Sequence, residues 1–375
     1  MRNLASSLAV AIAMLWLAPL AVARDLKQAG VKQAGVKPDG AKPKPAEGAK
    51  AWTPPRTADG QPDLQGVWAN NSATPLQRPA ALAGRAVLTD QEVAALKKGA
   101  DQFFNVDRDG AFGDGVFEAA LATMQNSRPS EAPPANGRDL VAGRYTGEKN
   151  QFWLPDRAFD NRTSLISDPP DGRIPPLTPE ARARQAEAAA RTRSSSGPED
   201  RSLGERCITY GIPDVTAGYL SYYRIVQSPG NVAILTERIH DVRIIPLDGR
   251  PHINSGVQQW LGDSRGHWEG NTLVVQTRNF SPESNFRGAG QHLQLVERFT
   301  RVRPDTIAYE FTVTDPTTWV RPWTAMIPWK QAGENEDLFE FSCHEGNVSM
   351  SGILAGARVD EKKAAEAVKA PASKP

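Results

Sequence analysis

The clearest pattern in the chain lies between residues 306 and 314, where Ile307, Tyr309, Phe311 and Val313 alternate with Ala308, Glu310 and Thr312. A period of two with one apolar face predicts a half-buried strand. Runs of similar kind occur over 219–227, 232–236, 239–246, 272–277, 292–301, 319–328 and 338–343, separated by turn residues. Arg303-Pro304-Asp305 is a tight connection, so the runs on either side of it are antiparallel neighbours. Successive strands with short links predict a mainly β fold, an up-and-down antiparallel barrel or a strongly curved sandwich.

Before this meander the periodicity weakens. Leu64 to Trp68 reads as a first short strand. Thr89 with Glu92 forms a capping box that opens a helix through about residue 98. Thr178-Pro179-Glu180 starts a second helix, with an N-cap, a proline at the first position and an acid near the positive end of the dipole. That helix runs to about Arg193, and Ser194 to Pro198 stops it. Pro133-Pro134 and Pro169-Pro170-Asp171-Gly172 break the stretch between, which predicts an irregular, partly helical N-terminal arm packed on the main body.

The chain ends differ in composition. An apolar run from Leu4 to Leu20 follows a positive start and closes on Ala21-Val22-Ala23, the pattern of a cleaved secretory signal over 1–23. Residues 24–50 repeat Lys-Gln-Ala-Gly-Val with almost nothing apolar to bury, which predicts a flexible linker. The arm then occupies 51–200, the barrel-like domain 201–358 and a disordered tail 359–375. Secretion implies an oxidising compartment, with the bacterial periplasm as the expectation. The chain has two cysteines, Cys207 and Cys343. One disulfide between them is the reading that compartment favours, and two buried free thiols are the alternative.

A formal net charge of +1 over 375 residues gives no electrostatic basis for nucleic acid or an anionic membrane as partner. No second stretch suits a bilayer, so no membrane insertion is expected after signal cleavage. The expected partner is a small-molecule ligand or substrate.

Candidate chemistry concentrates between Glu237 and Gly288. His240 shares one strand face with Val242 and Ile244, while Asp241 and Arg243 share the other with Ile239 and Ile245. If the second face is the core, Asp241 and Arg243 form an inward ion pair and a candidate anion clamp. Pro246 to His252 is a turn-rich loop carrying Asp248, Arg250 and His252, and a loop histidine near a carboxylate suits acid–base work. Asp263 and Arg265 lie close enough in sequence to orient such a histidine. Glu269-Gly270-Asn271 reads as hairpin chemistry. The stretch Phe280 to Gly290 is expected to be a mobile loop able to cover a barrel mouth, with Arg287 on a substrate anion.

Glu297 shares its strand face with Leu293, Leu295 and Phe299, so alternation points a carboxylate inward. His344 follows Cys343 in a glycine-bounded turn and is a second acid–base candidate. Trp260, Trp319 and Trp323, with Trp329 and Arg321 nearby, offer aromatic faces for a sugar ring or an apolar ligand. No H-E-x-x-H, phosphate loop, dinucleotide fingerprint or G-x-S-x-G is present.

Two resemblances add to this. Gly66-Val67-Trp68 and Gly266-His267-Trp268 each look like the glycine-x-tryptophan opening of lipocalin-type barrels. Over residues 243–358 the chain resembles a large family of secreted bacterial proteins. The matching segments are Pro246 to His252, Gly262 to Gly266, Trp268-Glu269-Gly270, Asp315-Pro316, Arg321-Pro322-Trp323 and Cys343 to Asn347. These resemblances imply a lipocalin-like barrel and a secreted location, and bring no activity with them.

The functional expectation is a cofactor-free acid–base enzyme, a lyase, isomerase or hydrolase acting on a small organic substrate. His252 or His344 would transfer the proton, Asp241, Asp263 or Glu297 would assist, and Arg243, Arg250 or Arg287 would hold an anionic group. Two alternatives stand beside it: a binding protein without turnover for an apolar or glycosidic ligand, and a metal-dependent hydrolase or lyase.

Overall fold

A computed structural model describes residues 52–103, 115–124, 157–218, 220–333 and 336–369. The expected leader and linker, the Pro133-Pro134 break and the last six residues of the tail lie outside these. The strands are β1 (Gly66–Ala69), β2 (Ile166–Asp168), β3 (Tyr222–Ser228), β4 (Asn231–Thr236), β5 (Val242–Pro246), β6 (Asp263–Glu269), β7 (Thr272–Arg278), β8 (Gln294–Arg303), β9 (Thr306–Thr314) and β10 (Trp323–Gln331). The helices are α1 (Asp90–Phe103), α2 (Gly115–Met124), α3 (Pro179–Ser194), α4 (Cys343–Gly346) and α5 (Val348–Lys369).

All ten strands join one antiparallel sheet in the order β5-β4-β3-β1-β10-β9-β8-β7-β6, with β2 added outside this path on β10. The sheet curls into a nearly closed, lipocalin-like barrel whose first and last strands are β5 and β6. The path has an odd number of strands, and every neighbour reverses direction, so β5 and β6 run the same way along the seam. The two edges belong to consecutive strands joined by the 247–262 segment, which returns from the end of β5 to the start of β6. No ladder closes the seam among the described residues. Its lower part is shut by packing instead. A Cβ on Gly266 of β6 would sit 2.8 Å from side-chain atoms of both Ile245 and Leu247, so only glycine lets β6 approach β5 this closely.

The barrel interior follows from the strand alternation. Ile307, Tyr309, Phe311 and Val313 of β9 are buried, as are Leu295, Glu297 and Phe299 of β8. Aromatic rings fill most of the lumen: Phe299 stacks on Tyr309 at 4.8 Å, and Tyr223 lies parallel to Trp329 at 4.1 Å. Burying each such ring contributes about 1.5–3 kcal/mol. At the entry of the first strand, Trp68 is fully buried, its indole N–H donates to Leu64 O at 2.9 Å, and the Arg301 guanidinium covers its ring at 5.2 Å.

Both helix starts read from the sequence are present. The Thr89 amide donates to the Glu92 carboxylate at 2.9 Å and the Glu92 amide to Thr89 Oγ1 at 3.3 Å. Thr178 Oγ1 accepts from the Ala181 amide at 3.1 Å. The Cys207–Cys343 disulfide is formed, with Cα atoms 5.7 Å apart.

Several expectations change. The arm contributes strands to the sheet itself: β1 sits between β3 and β10, and β2 pairs with β10. The strand expected from 239 starts at Val242, because Ile239 takes a positive φ of 54° inside a 3-10 turn. The strand expected from 319 starts at Trp323, because the Thr318 and Trp319 amides turn back onto Asp315 O. No strand forms over 338–343, where the Phe339 amide donates to the Glu237 carboxylate at 3.0 Å and Cys343 opens α4. The disulfide therefore ties the loop after α3 to a helix, not to a last strand. The stretch from 359 is helical through Lys369, since its Ala, Glu and Lys residues favour helix even with little to bury. Arg358 anchors that helix by donating to the carbonyls of Ser195 and Ser196. Finally, Asp263–Glu269 forms a strand, β6, that the sequence pattern did not mark.

Candidate functional site

Strand β5 decides the site. Val242 and Ile244 face outward, 53 % and 64 % exposed, so the face carrying Arg243 and Ile245 turns into the barrel. Arg243 finds its carboxylate on β8 and not in Asp241. Its guanidinium donates twice to Glu297, with the Nη2 bond at 3.0 Å, and Tyr309 Oη donates to the same carboxylate at 2.9 Å. Glu297 is 1 % exposed. Burial works to lower the Arg243 pKa, and the adjacent Glu297 charge more than offsets it, leaving the guanidinium firmly cationic. Burial, reinforced by Glu297, pushes the Tyr309 phenol well above its usual range. An expected anion clamp is thus an internally neutralised pair.

Asp241 instead accepts from Thr209 Oγ1 at 2.6 Å, and that hydroxyl accepts from the Gly211 amide at 2.9 Å. Thr209 lies two residues beyond disulfide-bonded Cys207, so the cross-link fixes the segment that holds Asp241.

Two cavities meet at this point. Outside, a cleft of about 700 Å³ runs along the open part of the seam, between β5, the 258–264 stretch and Thr209. Val242, Ile244, Trp260 and Leu261 give it apolar walls, and Asp241, Asp263, Gln259 and Ser281 give it polar ones. Inside, a chamber of about 20 Å³ is enclosed by Asp214, Tyr223, Arg243, Glu297, Tyr309 and Trp329 among others. Asp241, Arg243 and Leu261 line both.

At the edge of the cleft, Asp263 gathers three partners. Its Oδ2 bonds His252 Nδ1 at 2.7 Å and accepts from the Ile253 amide at 3.1 Å, while Oδ1 faces Arg265 Nη1 at 2.9 Å. Arg265 also donates to the carbonyl of Pro251 at 3.2 Å, and Asn279 to that of Ile253 at 3.0 Å. The histidine, its carboxylate and the loop between them are therefore held as one unit. With Nδ1 engaged, Nε2 is the ring nitrogen left for a reacting group.

Other sequence candidates lie elsewhere. His344 is exposed on α4 and does not join His252. Arg250 is exposed and paired with Asp248 within its own turn. Arg287 is exposed at the tip of the 280–290 stretch. That stretch is a packed corner and not a loose flap: Phe280 and Ala289 are buried, Phe286 lies 6.0 Å from Trp323, and Gln185 donates to the Arg287 carbonyl. Trp319 and Trp323 are core residues in edge-to-face contact at 5.8 Å, and of the three expected aromatic faces only Trp260 reaches the cleft. Trp329 lines the inner chamber.

Asp214, Tyr223 and Tyr309 complete the chamber and were not among the sequence candidates. Tyr309 was within reach of the pattern, as an inward position on the strand beside Glu297. Asp214 sits in a Gly/Pro-rich loop that carries no period at all. Among the described residues, no group of three or more His, Cys, Asp or Glu side chains is gathered as metal ligands.

Set against protein-family models, curated proteins and solved structures, the chain finds no match in any of the three.

Proposed function

We propose that the protein binds a small organic molecule in the seam cleft and acts on it by proton transfer through His252. The observation that carries this is the Asp263–His252 pair, whose carboxylate lines a cleft large enough for a ligand. A carboxylate on Nδ1 fixes the tautomer and ring orientation and stabilises the imidazolium that forms when Nε2 takes a proton. Trp260 and the outward β5 side chains supply apolar contact, while Asp241 and Gln259 supply polar contact. The disulfide supports an oxidising compartment, in keeping with a secreted protein.

A second reading, binding without turnover, draws on the same network. Asp263 also ties the Ile253 amide and Arg265, which is what a purely structural carboxylate would do.

One experiment separates the two. Wild type, Trp260→Ala and His252→Ala are screened by thermal shift against monosaccharides, lactones and small hydroxy acids, and the binders are followed by NMR for conversion. Binding lost in Trp260→Ala, with conversion lost in His252→Ala, supports the enzyme. Binding without conversion in wild type supports the second reading. Binding unaffected by Trp260→Ala would remove the cleft from consideration.

A further inference from the structure

The inner chamber holds polar groups that the protein itself leaves without hydrogen bonds. Tyr223 Oη, Trp329 Nε1 and Asp214 Oδ2 are all buried without a hydrogen-bond partner, and all three side chains line the chamber. Tyr223 and Trp329 are 2 % and 3 % exposed, and the Asp214 side chain 9 %. The Asp214 carboxylate and the Tyr223 phenol lie close enough to interact, in a geometry short of a well-formed hydrogen bond. Its nearest cation is Arg238, at 3.5 Å. Buried donors and acceptors of this kind are ordinarily satisfied, and three around one cavity call for a partner from outside the chain.

The chemistry of that partner follows from the charges. Arg243 is matched by Glu297 and Arg238 by Asp214, while the Asp241 carboxylate stands where the chamber meets the cleft. An anionic group would face Asp214 and Asp241 with no uncommitted cation. An ammonium group has no lone pair, so the Trp329 N–H would stay without an acceptor. A hydroxyl accepts from Trp329 and from Tyr223 on its two lone pairs and donates to Asp214, and about 20 Å³ has room for one such oxygen.

We infer that the chamber is a recognition subsite for a neutral hydroxyl group, inserted past Leu261 and Asp241 by a ligand whose apolar body rests in the seam cleft against Val242, Ile244 and Trp260. The inference rests on the cleft reading above, and makes that ligand a neutral alcohol and not an acid or an amine.

The test uses three probes with one skeleton, benzyl alcohol, benzoate and benzylamine, titrated against the full chain by ligand-observed NMR. Benzyl alcohol is expected to bind at least about tenfold more tightly than either charged probe, the discrimination a site gains from pairing its buried polar groups. Tyr223→Phe is expected to weaken the alcohol about five- to tenfold, the loss of one hydrogen bond. It should lower the melting temperature only slightly, because the phenol's protein neighbour, Asp214, is not in a well-formed hydrogen bond with it. A preference for a charged probe, or alcohol binding indifferent to Tyr223→Phe, overturns the subsite. If that indifferent binding still falls in Trp260→Ala, the cleft survives and only the subsite is lost. If no probe binds, both are overturned.

Discussion

Arg243 and Glu297 meet inside the barrel from strands that are not neighbours, and the pair spans the lumen from β5 to β8. Both side chains are almost wholly buried, 9 % exposed for Arg243 and 1 % for Glu297. Removing one partner leaves the other as an uncompensated buried charge, which costs about 3–5 kcal/mol. Glu297→Ala should therefore lower stability by that amount in urea unfolding. Replacing both residues together, Arg243→Met with Glu297→Leu, should recover most of it. A cost below about 1 kcal/mol for Glu297→Ala would mean that the lumen admits water freely.

The Cys207–Cys343 bond closes a loop of 136 residues. In the chain-entropy model a closure of this length contributes roughly 4–5 kcal/mol, as an upper figure. Urea midpoints with and without reductant check this. Reduction should also free Thr209 to move from Asp241, so hydrogen exchange at the Gly211 amide should quicken more than exchange in β8 or β9. Equal quickening everywhere would show that the bond stabilises the fold without shaping the cleft.

For Asp263→Asn, the readout is a single amide. The Ile253 N–H donates to this carboxylate, and a hydrogen bond to a charged acceptor contributes about 1.5–3 kcal/mol. Exchange at Ile253 should accelerate about tenfold or more in Asp263→Asn. His252→Ala keeps the carboxylate and should change Ile253 far less. If the two variants match, the histidine and not the carboxylate organises the loop.

Glu92 gives a pH signature at the start of α1. The Thr89 amide and then Arg85 hold its carboxyl at about 2, against 4.5 for the free group. A depressed folded value means that the capping interaction stabilises the helix fully above about 4.5 and is lost as the pH falls towards 2. The Thr89 amide resonance should titrate with a midpoint near 2, and Glu92→Gln should abolish that titration. A midpoint near 4.5 would mean that the cap is open in solution.

Much of this fold is legible in the chain because alternation is a local signal. The inward Glu297 could be read from Leu295 and Phe299 on either side of it, and β9 from its own nine residues. What a period cannot supply is the partner across the lumen, so Asp241 was the nearer choice for Arg243 although Glu297 holds it. β6 escaped because Asp263, Ser264 and Gly266 are buried in place of apolar residues, the first by its bonds to the loop and the last by lacking a side chain. The Asp263–His252 pair was half legible: both residues stood out, and their closeness depends on how the 247–262 segment folds back. Trp319 and Trp323 show the opposite error, since aromatic residues mark cores more often than binding walls.

A barrel whose last strand is hydrogen-bonded to its first has its circumference set by the ladders. This one is a split ring: among the described residues no ladder joins β5 to β6, and closure is left to side chains around Gly266 and to the 247–262 segment. Its girth near Arg243 and Asp263 can therefore change by prising two edges apart, with every ladder bond intact. On the proposed reading of the cleft, selectivity would then lie with the groups behind the slit and not with its width.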